Sequence, residues 1–521
     1  MKAVKQKFIK IIAVIMLVAL AAPHAVFAGA GTMGFSGGIS EGLRMPTIID
    51  RLQNPALNGR RNIAGEYAYS EVVFITGEPM EFTGDLFISQ GGGVTDDPLG
   101  SFTFSNIVDA MGEDGESFLD RSIQFNVSWR RENNQVIKNY SLNSWAESIL
   151  TPYVDLVLDE EQSHFVISII EDHNPGIVFY RGNFTKRAVF INLDLSDDDF
   201  EYTHILEASG VIYGFDSPFS STETQSIDAW VFTPTWQMSY QVRPSVSVTT
   251  SLMYQPTAPT AISFAGNYMH FMENRSIAAY DIFIVPQPFF HIPTSGSISV
   301  DSRQTFEQLI APDMTFLRGH FAEQDISRLF AQGILTGPPT HFQPAQAMTR
   351  GEFITALVRS LRLEVITIQP ARMFDRTTRI VFPDVLSERP EYPYIMAAYR
   401  AGLAYGRADG NFHIDAPITR EEVVATLIRG LGLENVAQHF TPVTAFADST
   451  QISAWATRDL AAALELGLIA GDANGNFRPR DIITKAEASA FINRFIDYMR
   501  EDLVADYSQR MVNFVAIITI C

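Results

Sequence analysis

The sequence predicts a two-part fold, an all-β region of sandwich-like size and turn spacing followed by an all-α repeat region. Two observations predict it. Residues 29–305 carry short alternating runs rich in Phe, Tyr, Val, Ile, Ser and Thr, broken by turn residues every eight to twelve positions. Beyond them, Thr349-Arg350-Gly351-Glu352, Thr419-Arg420-Glu421-Glu422 and Thr484-Lys485-Ala486-Glu487 open three copies of one unit. Each copy has a Phe seven residues before the Thr (Phe342, Phe412, Phe477) and an Arg ten residues after it (Arg359, Arg429, Arg494).

In chain order, residues 1–28 read as a secretory signal peptide. Lys2, Lys5, Lys7 and Lys10 precede the apolar run 11–22, and Val26-Phe-Ala28 forms a cleavage site. The run is too short to span a bilayer, so no transmembrane segment is expected. With Cys521 as the sole cysteine, neither an internal disulfide nor a lipoprotein anchor is expected. Removing four lysines and no acid takes the net charge from −21 to −25 and leaves only Lys138, Lys186 and Lys485. Such a field repels nucleic acid and acidic polymers, so any anion must be held by cations placed locally.

Within the β-rich region, alternation is visible in Glu71-Val-Val-Phe-Ile-Thr76, Ser122-Ile-Gln-Phe-Asn-Val-Ser-Trp129 and Val246-Ser-Val-Thr-Thr-Ser-Leu252. The run 164–170, then Asn174-Pro175-Gly176, then 177–180 reads as a hairpin with a Pro-Gly turn. The length suits one large sandwich or two smaller ones. No metal-ligand pair of histidines and no nucleophile elbow is present. Asp194 with Asp197-Asp-Asp-Phe-Glu201 could hold Ca²⁺, although an exposed acidic turn is the plainer reading, and no other cofactor is expected. Trp129, Trp145, Trp230 and Trp236 fit a core, or a platform for sugar rings. No pair of carboxylates stands out as a hydrolytic site.

In the repeats, the pairs Thr349/Glu352, Thr419/Glu422 and Thr484/Glu487 have capping-box spacing, so a helix begins after each Thr. Apolar residues four apart (Phe353/Leu357/Leu361, Val423/Leu427/Leu431, Ala488/Ile492/Ile496) give each helix one buried stripe. A second helix precedes each unit and stops at the first Gly of the pairs Gly333/Gly337, Gly402/Gly406 and Gly467/Gly471. Arg350, Arg420 and Lys485 stand just after the N-cap, where a cation is unfavourable by roughly 0.3–1 kcal/mol. Recurrence at one offset points to an anion site in which free helix amides and the basic side chain converge.

These residues resemble the S-layer homology (SLH) domain. The third copy carries Phe446-Ala-Asp448, Trp455-Ala456, Gly467-Leu-Ile-Ala-Gly471, Asn474-Gly-Asn-Phe477 and Ile483-Thr-Lys-Ala-Glu487. The second carries Phe382-Pro-Asp384, Asp409-Gly-Asn-Phe412 and Ile418-Thr-Arg-Glu-Glu422. The first is worn, with Gly337-Pro-Pro-Thr-His-Phe342 one residue shorter and without the Asp-Gly turn. The resemblance covers repeats at 312–365, 380–435 and 444–500, followed by a tail at 501–521 with an apolar run, 511–520.

The resemblance implies a pseudo-threefold bundle that holds secondary cell-wall polysaccharide, often pyruvylated, in grooves between repeats. Arg350, Arg420 and Lys485, with Gly406 and Gly471, are the residues it assigns to the ligand. The expectation is a secreted bacterial cell-wall protein that displays its β-rich region, as an adhesin or through self-association in an S-layer. A wall-tethered polysaccharide-degrading enzyme is the alternative; a second is an outer-membrane barrel tethered to peptidoglycan, for which the resemblance would put a single SLH unit before the barrel, whereas this chain has three after its β-rich region.

Overall fold

The computed structural model describes residues 36–41, 64–91, 98–195, 202–256, 266–285, 292–300, 304–365, 381–433 and 445–503, together with Ile48 and Ala437. The signal peptide, the segment 197–201 and the apolar run 511–520 lie outside the described residues.

Long alternating runs give long strands, and one antiparallel sheet contains them all. In order they are β1 (Ile39–Ser40), β2 (Gly65–Val73), β3 (Met80–Gly91), β4 (Leu99–Gly112), β5 (Phe118–Glu132), β6 (Gln135–Leu150), β7 (Asp155–Leu158), β8 (His164–His173), β9 (Val178–Asn192), β10 (Thr203–Asp216), β11 (Ser220–Phe232), β12 (Gln237–Gln255), β13 (Asn267–Ile284), β14 (Ser295–Val300) and β15 (Thr305–Ile310). Neighbours in sequence pair almost throughout. The two short strands β7 and β8 share the gap between β6 and β9, and β14 and β15 share the length of β13.

The meander curls until its ends meet. Phe74, just past β2, stacks on Tyr240 of β12 with ring centroids 3.9 Å apart and meets the edge of Tyr280 of β13 at 5.2 Å. Side chains of Ser276 and Asn274 on β13 donate to the carbonyls of Ser40 and Glu41 beside β1. One apolar core results, so the layers expected of a sandwich are supplied by a single sheet facing itself. The boundary expected at residue 305 moves, because β15 pairs with β13 and carries the sheet to Ile310.

The β8–β9 hairpin forms as the Pro-Gly turn predicts. Alternation holds in β5, where Leu119, Arg121, Ile123, Phe125, Val127 and Trp129 are buried and Asp120, Ser122, Gln124, Asn126, Ser128 and Arg130 face outward. It fails at 71–75, where every residue is buried, because the closing strands cover both faces there. Trp129 and Trp145 are core, and Trp236 is partly buried against it. Trp230 is exposed, parallel to Phe232 at 6.0 Å.

Two clusters of ion pairs lie inside the barrel. Arg121 donates to Glu71 (2.6 and 3.1 Å) and to Glu147 (2.7 Å), while Tyr69 and the Trp145 indole supply further donors at 2.8 and 2.9 Å. Lys138 on β6 is bonded to Glu171 on β8, whose other oxygen meets His173 at 2.8 Å. Lys186 lies over the Trp145 ring and reaches Ser36. Burial pushes its ammonium down to about 8, against the opposing pull of Glu147.

Six helices of eight or more residues follow among the described residues: α1 (Glu323–Ala331), α2 (Arg350–Ser360), α3 (Tyr392–Arg400), α4 (Arg420–Gly430), α5 (Thr457–Glu465) and α6 (Lys485–Asp497). The predicted stripes on α2, α4 and α6 are wholly buried. Gly333, Gly402 and Gly467 end α1, α3 and α5 with φ of 69°, 71° and 69°, and the next amide bonds back to the last turn. Each second helix packs on the first helix of the following repeat, α2 on α3, α4 on α5 and α6 on α1.

Two outcomes are expected from the barrel interior. Glu147→Ala takes one of two carboxylates from buried Arg121 and the acceptor from the Trp145 indole, and should lower unfolding free energy by about 3–5 kcal/mol in urea titrations. The unfolded chain protonates Lys186 at higher pH than the folded chain does, so stability should rise with pH from about 8 towards the ordinary lysine value of 10.5. Relative to wild type, Lys186→Met should flatten that rise.

Candidate functional site

All three predicted capping boxes form. Thr349, Thr419 and Thr484 accept the amides of Glu352, Glu422 and Glu487 at 3.2–3.4 Å, and each glutamate returns its Oε2 to the threonine amide at 3.0 Å. The preceding residues form a backbone cycle. Met348 N donates to Ile483 O, Ile483 N to Ile418 O, and Ile418 N to Met348 O, at 3.0–3.1 Å.

This cycle changes what the helix starts can do. The amides of Arg350 and Gly351 donate to Ala416 O and Ile414 O, those of Arg420 and Glu421 to Asp481 O and Pro479 O, and those of Lys485 and Ala486 to Gln346 O and Pro344 O, all at 2.9–3.0 Å. With the third amide taken by Thr, the expected cradle of free amides is not there. The basic side chains themselves turn away to the neighbouring repeat. Arg350 Nη1 bonds Glu422 Oε1 at 3.0 Å, Arg420 Nη1 bonds Glu487 Oε1 at 3.1 Å, and Lys485 Nζ bonds Glu352 Oε1 at 2.6 Å. Hence the cation is not penalised by its own helix dipole.

The two arginines are further fixed by Nε–H bonds to Phe412 O and Phe477 O and lie over those phenyl rings at 5.1 and 5.0 Å. Burial pulls both guanidiniums below their ordinary value, and Glu422 and Glu487 pull the other way. The loops carrying these phenylalanines are clamped from below. Asp384 accepts the amides of Phe412 and His413, and Asp448 those of Phe477 and Arg478, at 2.6–2.9 Å, with His413 and Arg478 at φ of 60° and 58°. In the worn first repeat a short 3-10 turn, Pro339–His341, stands in place of the Asp-Gly turn.

Three clefts open where these contacts meet the surface, of about 230, 390 and 250 Å³. The first holds Arg350, Glu422, Arg407 and Arg429 under Tyr405 and Trp455. The second holds Arg420, Glu487 and Arg478 beside His320 and Phe321, which stack at 4.6 Å. The third holds Lys485, Glu352 and Arg359 with Glu391. Arg407 also bonds Glu422 at 3.0 Å, and Arg359 bonds Thr336 and Tyr394 at 2.8 and 3.0 Å. Gly406 packs where a Cβ would meet Phe382 at 2.8 Å, and Gly471 lies against the Gly475 backbone, so both shape the loops rather than line a cleft.

Recurrence marked Arg359 and Arg429 without giving them a role. Arg407 and Arg478 carry no repeat signal, because they come from different positions of their repeats, whereas Trp455 belongs to the motif of the third copy without being assigned to a cleft. Among the described residues no group of His, Cys, Asp or Glu is arranged to hold a metal ion, and Asp194 sits in the short turn Leu193–Leu195. No described helix is long and apolar enough to cross a membrane.

Comparison with known proteins places three segments, 317–354, 381–424 and 445–489, in the S-layer homology domain family. An amylopullulanase of Thermoanaerobacterium thermosulfurigenes is 32% identical over 206 residues, 38% of this chain and 10% of that protein. An endoglucanase of Bacillus sp. (strain KSM-635) is 29% identical over 173 residues, 33% of this chain and 17% of that protein. An S-layer protein of Bacillus thuringiensis subsp. finitimus is 28% identical over 175 residues, 33% of this chain and 20% of that protein. The chain thus spans a tenth to a fifth of these relatives. The SLH segments and the surface-layer relatives mark a secreted, cell-wall-associated protein.

Glutamine can still serve in a capping box, so Glu422→Gln isolates the inter-repeat charge contact. It should cost about 0.5–1 kcal/mol, and Glu422→Ala about 1 kcal/mol more, by urea unfolding. No loss of stability in Glu422→Gln would mean that the contact with Arg350 contributes nothing.

Proposed function

We propose that the repeats form a pseudo-threefold bundle that tethers the protein non-covalently to an acidic secondary cell-wall polysaccharide and displays the β barrel outward. The observation that carries this reading is the common plan of the three clefts. Each draws its leading cation from one repeat and a positioning glutamate from the next. A carboxylate of the glycan, such as that of a pyruvyl ketal, competes for the same donors that Glu422 and Glu487 now occupy, and a guanidinium with a second arginine beside it can take both. In a chain as acidic as this one, attraction for an acidic polymer has to come from such local cation pairs.

The clefts are not equal in charge. The first sets Arg350, Arg407 and Arg429 against Glu422, whereas the second sets Arg420 and Arg478 against Asp481 and Glu487, and the third Arg359 and Lys485 against Glu352 and Glu391. Binding is therefore strongest in the cleft built on Arg350. Three sites on one body add by effective concentration, so modest single-site affinity suffices for lasting attachment.

Relatives named for different activities share with this chain a length close to that of its repeats, which favours a common attachment module over a common chemistry. In the barrel, the closely approaching carboxylates Glu71 and Glu147 are sealed in the core around Arg121, which favours display over hydrolysis. The polar outward face of β5 disfavours a lipid-facing barrel. Adhesion or lattice formation through self-association is the display role this leaves.

Co-sedimentation of the full chain with purified wall glycan tests the reading. Arg350→Ala should weaken binding about 10-fold, roughly one charge-assisted hydrogen bond, and the combination with Arg420→Ala and Lys485→Ala should abolish it. Undiminished sedimentation of the triple variant would sink the proposal.

A further inference from the structure

The clefts lie at the N-termini of α2, α4 and α6, and the opposite ends of these helices meet the barrel. Two hairpin loops reach them. In the β8–β9 loop, Gly176 N donates to Gly430 O at the end of α4 (2.8 Å), and a Cβ on Gly176 would stand 2.6 Å from Leu361 and 2.7 Å from that same carbonyl. In the β10–β11 loop, buried Phe219 is flanked by the guanidiniums of Arg362 and Arg500, 5.2 and 5.0 Å from its ring centroid. Arg362 also donates to Pro218 O, and Ser220 Oγ to Met499 O, both at 2.9 Å. Ile177, Phe215 and Phe219 belong to the helices' own apolar core, not to the barrel's.

The backbone at Arg362 adds an independent observation. It follows the C-cap of α2 with φ of +52°, a left-handed position that favours glycine, and the corresponding residue after α4 is Gly432 at +70°. The repeat itself is thus satisfied by glycine at this point. An arginine held in an unfavourable conformation, with its guanidinium on Pro218 and Phe219 of the barrel loop, indicates that the inter-domain contact is what the position serves.

We infer that barrel and repeats unfold as one cooperative body, locked by a clamp of Phe219 between Arg362 and Arg500, so that the barrel keeps a fixed attitude to the clefts. This holds whether or not the clefts bind glycan.

Calorimetry of the full chain, with hydrogen exchange read separately from barrel and helix peptides, tests it. Wild type should show one transition in which both sets of peptides lose protection together. Phe219→Ala should split it into two. Arg362→Gly is the decisive variant, since it relieves the backbone while removing the clamp, and it should also separate the transitions. Two independent transitions in wild type, or a single unsplit transition in both variants, would overturn the inference. Glycan sedimentation by the two variants, at a temperature where both parts stay folded, should match wild type, which separates this result from failure of the attachment reading.

Discussion

The helical region depends on one carboxylate used twice. Oε2 of each capping-box glutamate starts its own helix, and Oε1 holds the cation that opens the helix of another repeat. Because the cation sits one residue after its own N-cap, the arrangement passes from repeat to repeat and returns to its origin. The backbone cycle of Met348, Ile418 and Ile483, one residue before each threonine, links the same three repeats in the opposite sense. No repeat completes its own helix start alone, which is the physical reason the unit needs all three, including the worn first one.

The barrel solves a related problem by different means. Its strands are long and the alternation is regular, so a slip of two residues would keep apolar side chains inward. Buried ion pairs remove that freedom. Arg121 finds two glutamates on strands β2 and β6 only in one register, and Lys138 meets Glu171 across β6 and β8 in the same way. All three lysines outside the signal segment are thus committed to fixed contacts, two in the barrel core and one at a cleft.

Local features were legible in the sequence and long-range ones were not. The capping boxes, the buried stripes and the glycine stops depend on residues within one turn of helix, and all of them form. The Pro-Gly hairpin is equally local. The anion cradle at the helix starts failed for the opposite reason, since the carbonyls that fill those amides lie in another repeat, far along the chain from the helix they cap. Arg407 escaped for the same cause, because only assembly brings it beside Arg350. Curling of the sheet was hidden too, as period-two alternation states which face is buried and nothing about what it faces. Glu71 to Ile75 broke the alternation where the closing strands cover both sides, so the exception marked the seam.

The direction of the three second helices ties the two halves of the molecule together. Each is eleven to thirteen residues long, or about 16–20 Å at 1.5 Å per residue. Their N-terminal ends are bound to one another by the carboxylate relay and frame the clefts. Their C-terminal ends are covered by barrel loops, whose Gly176 and Phe219 occupy positions that water would otherwise fill. A ligand pulling on Arg350 therefore pulls along the axis of α2, through Leu361, directly onto the residue that grips Phe219. Rigid helices loaded end to end transmit force with little bending, whereas a flexible linker would let the barrel swing. The unfavourable backbone at Arg362 lies at the one point on that line where the two halves must not part.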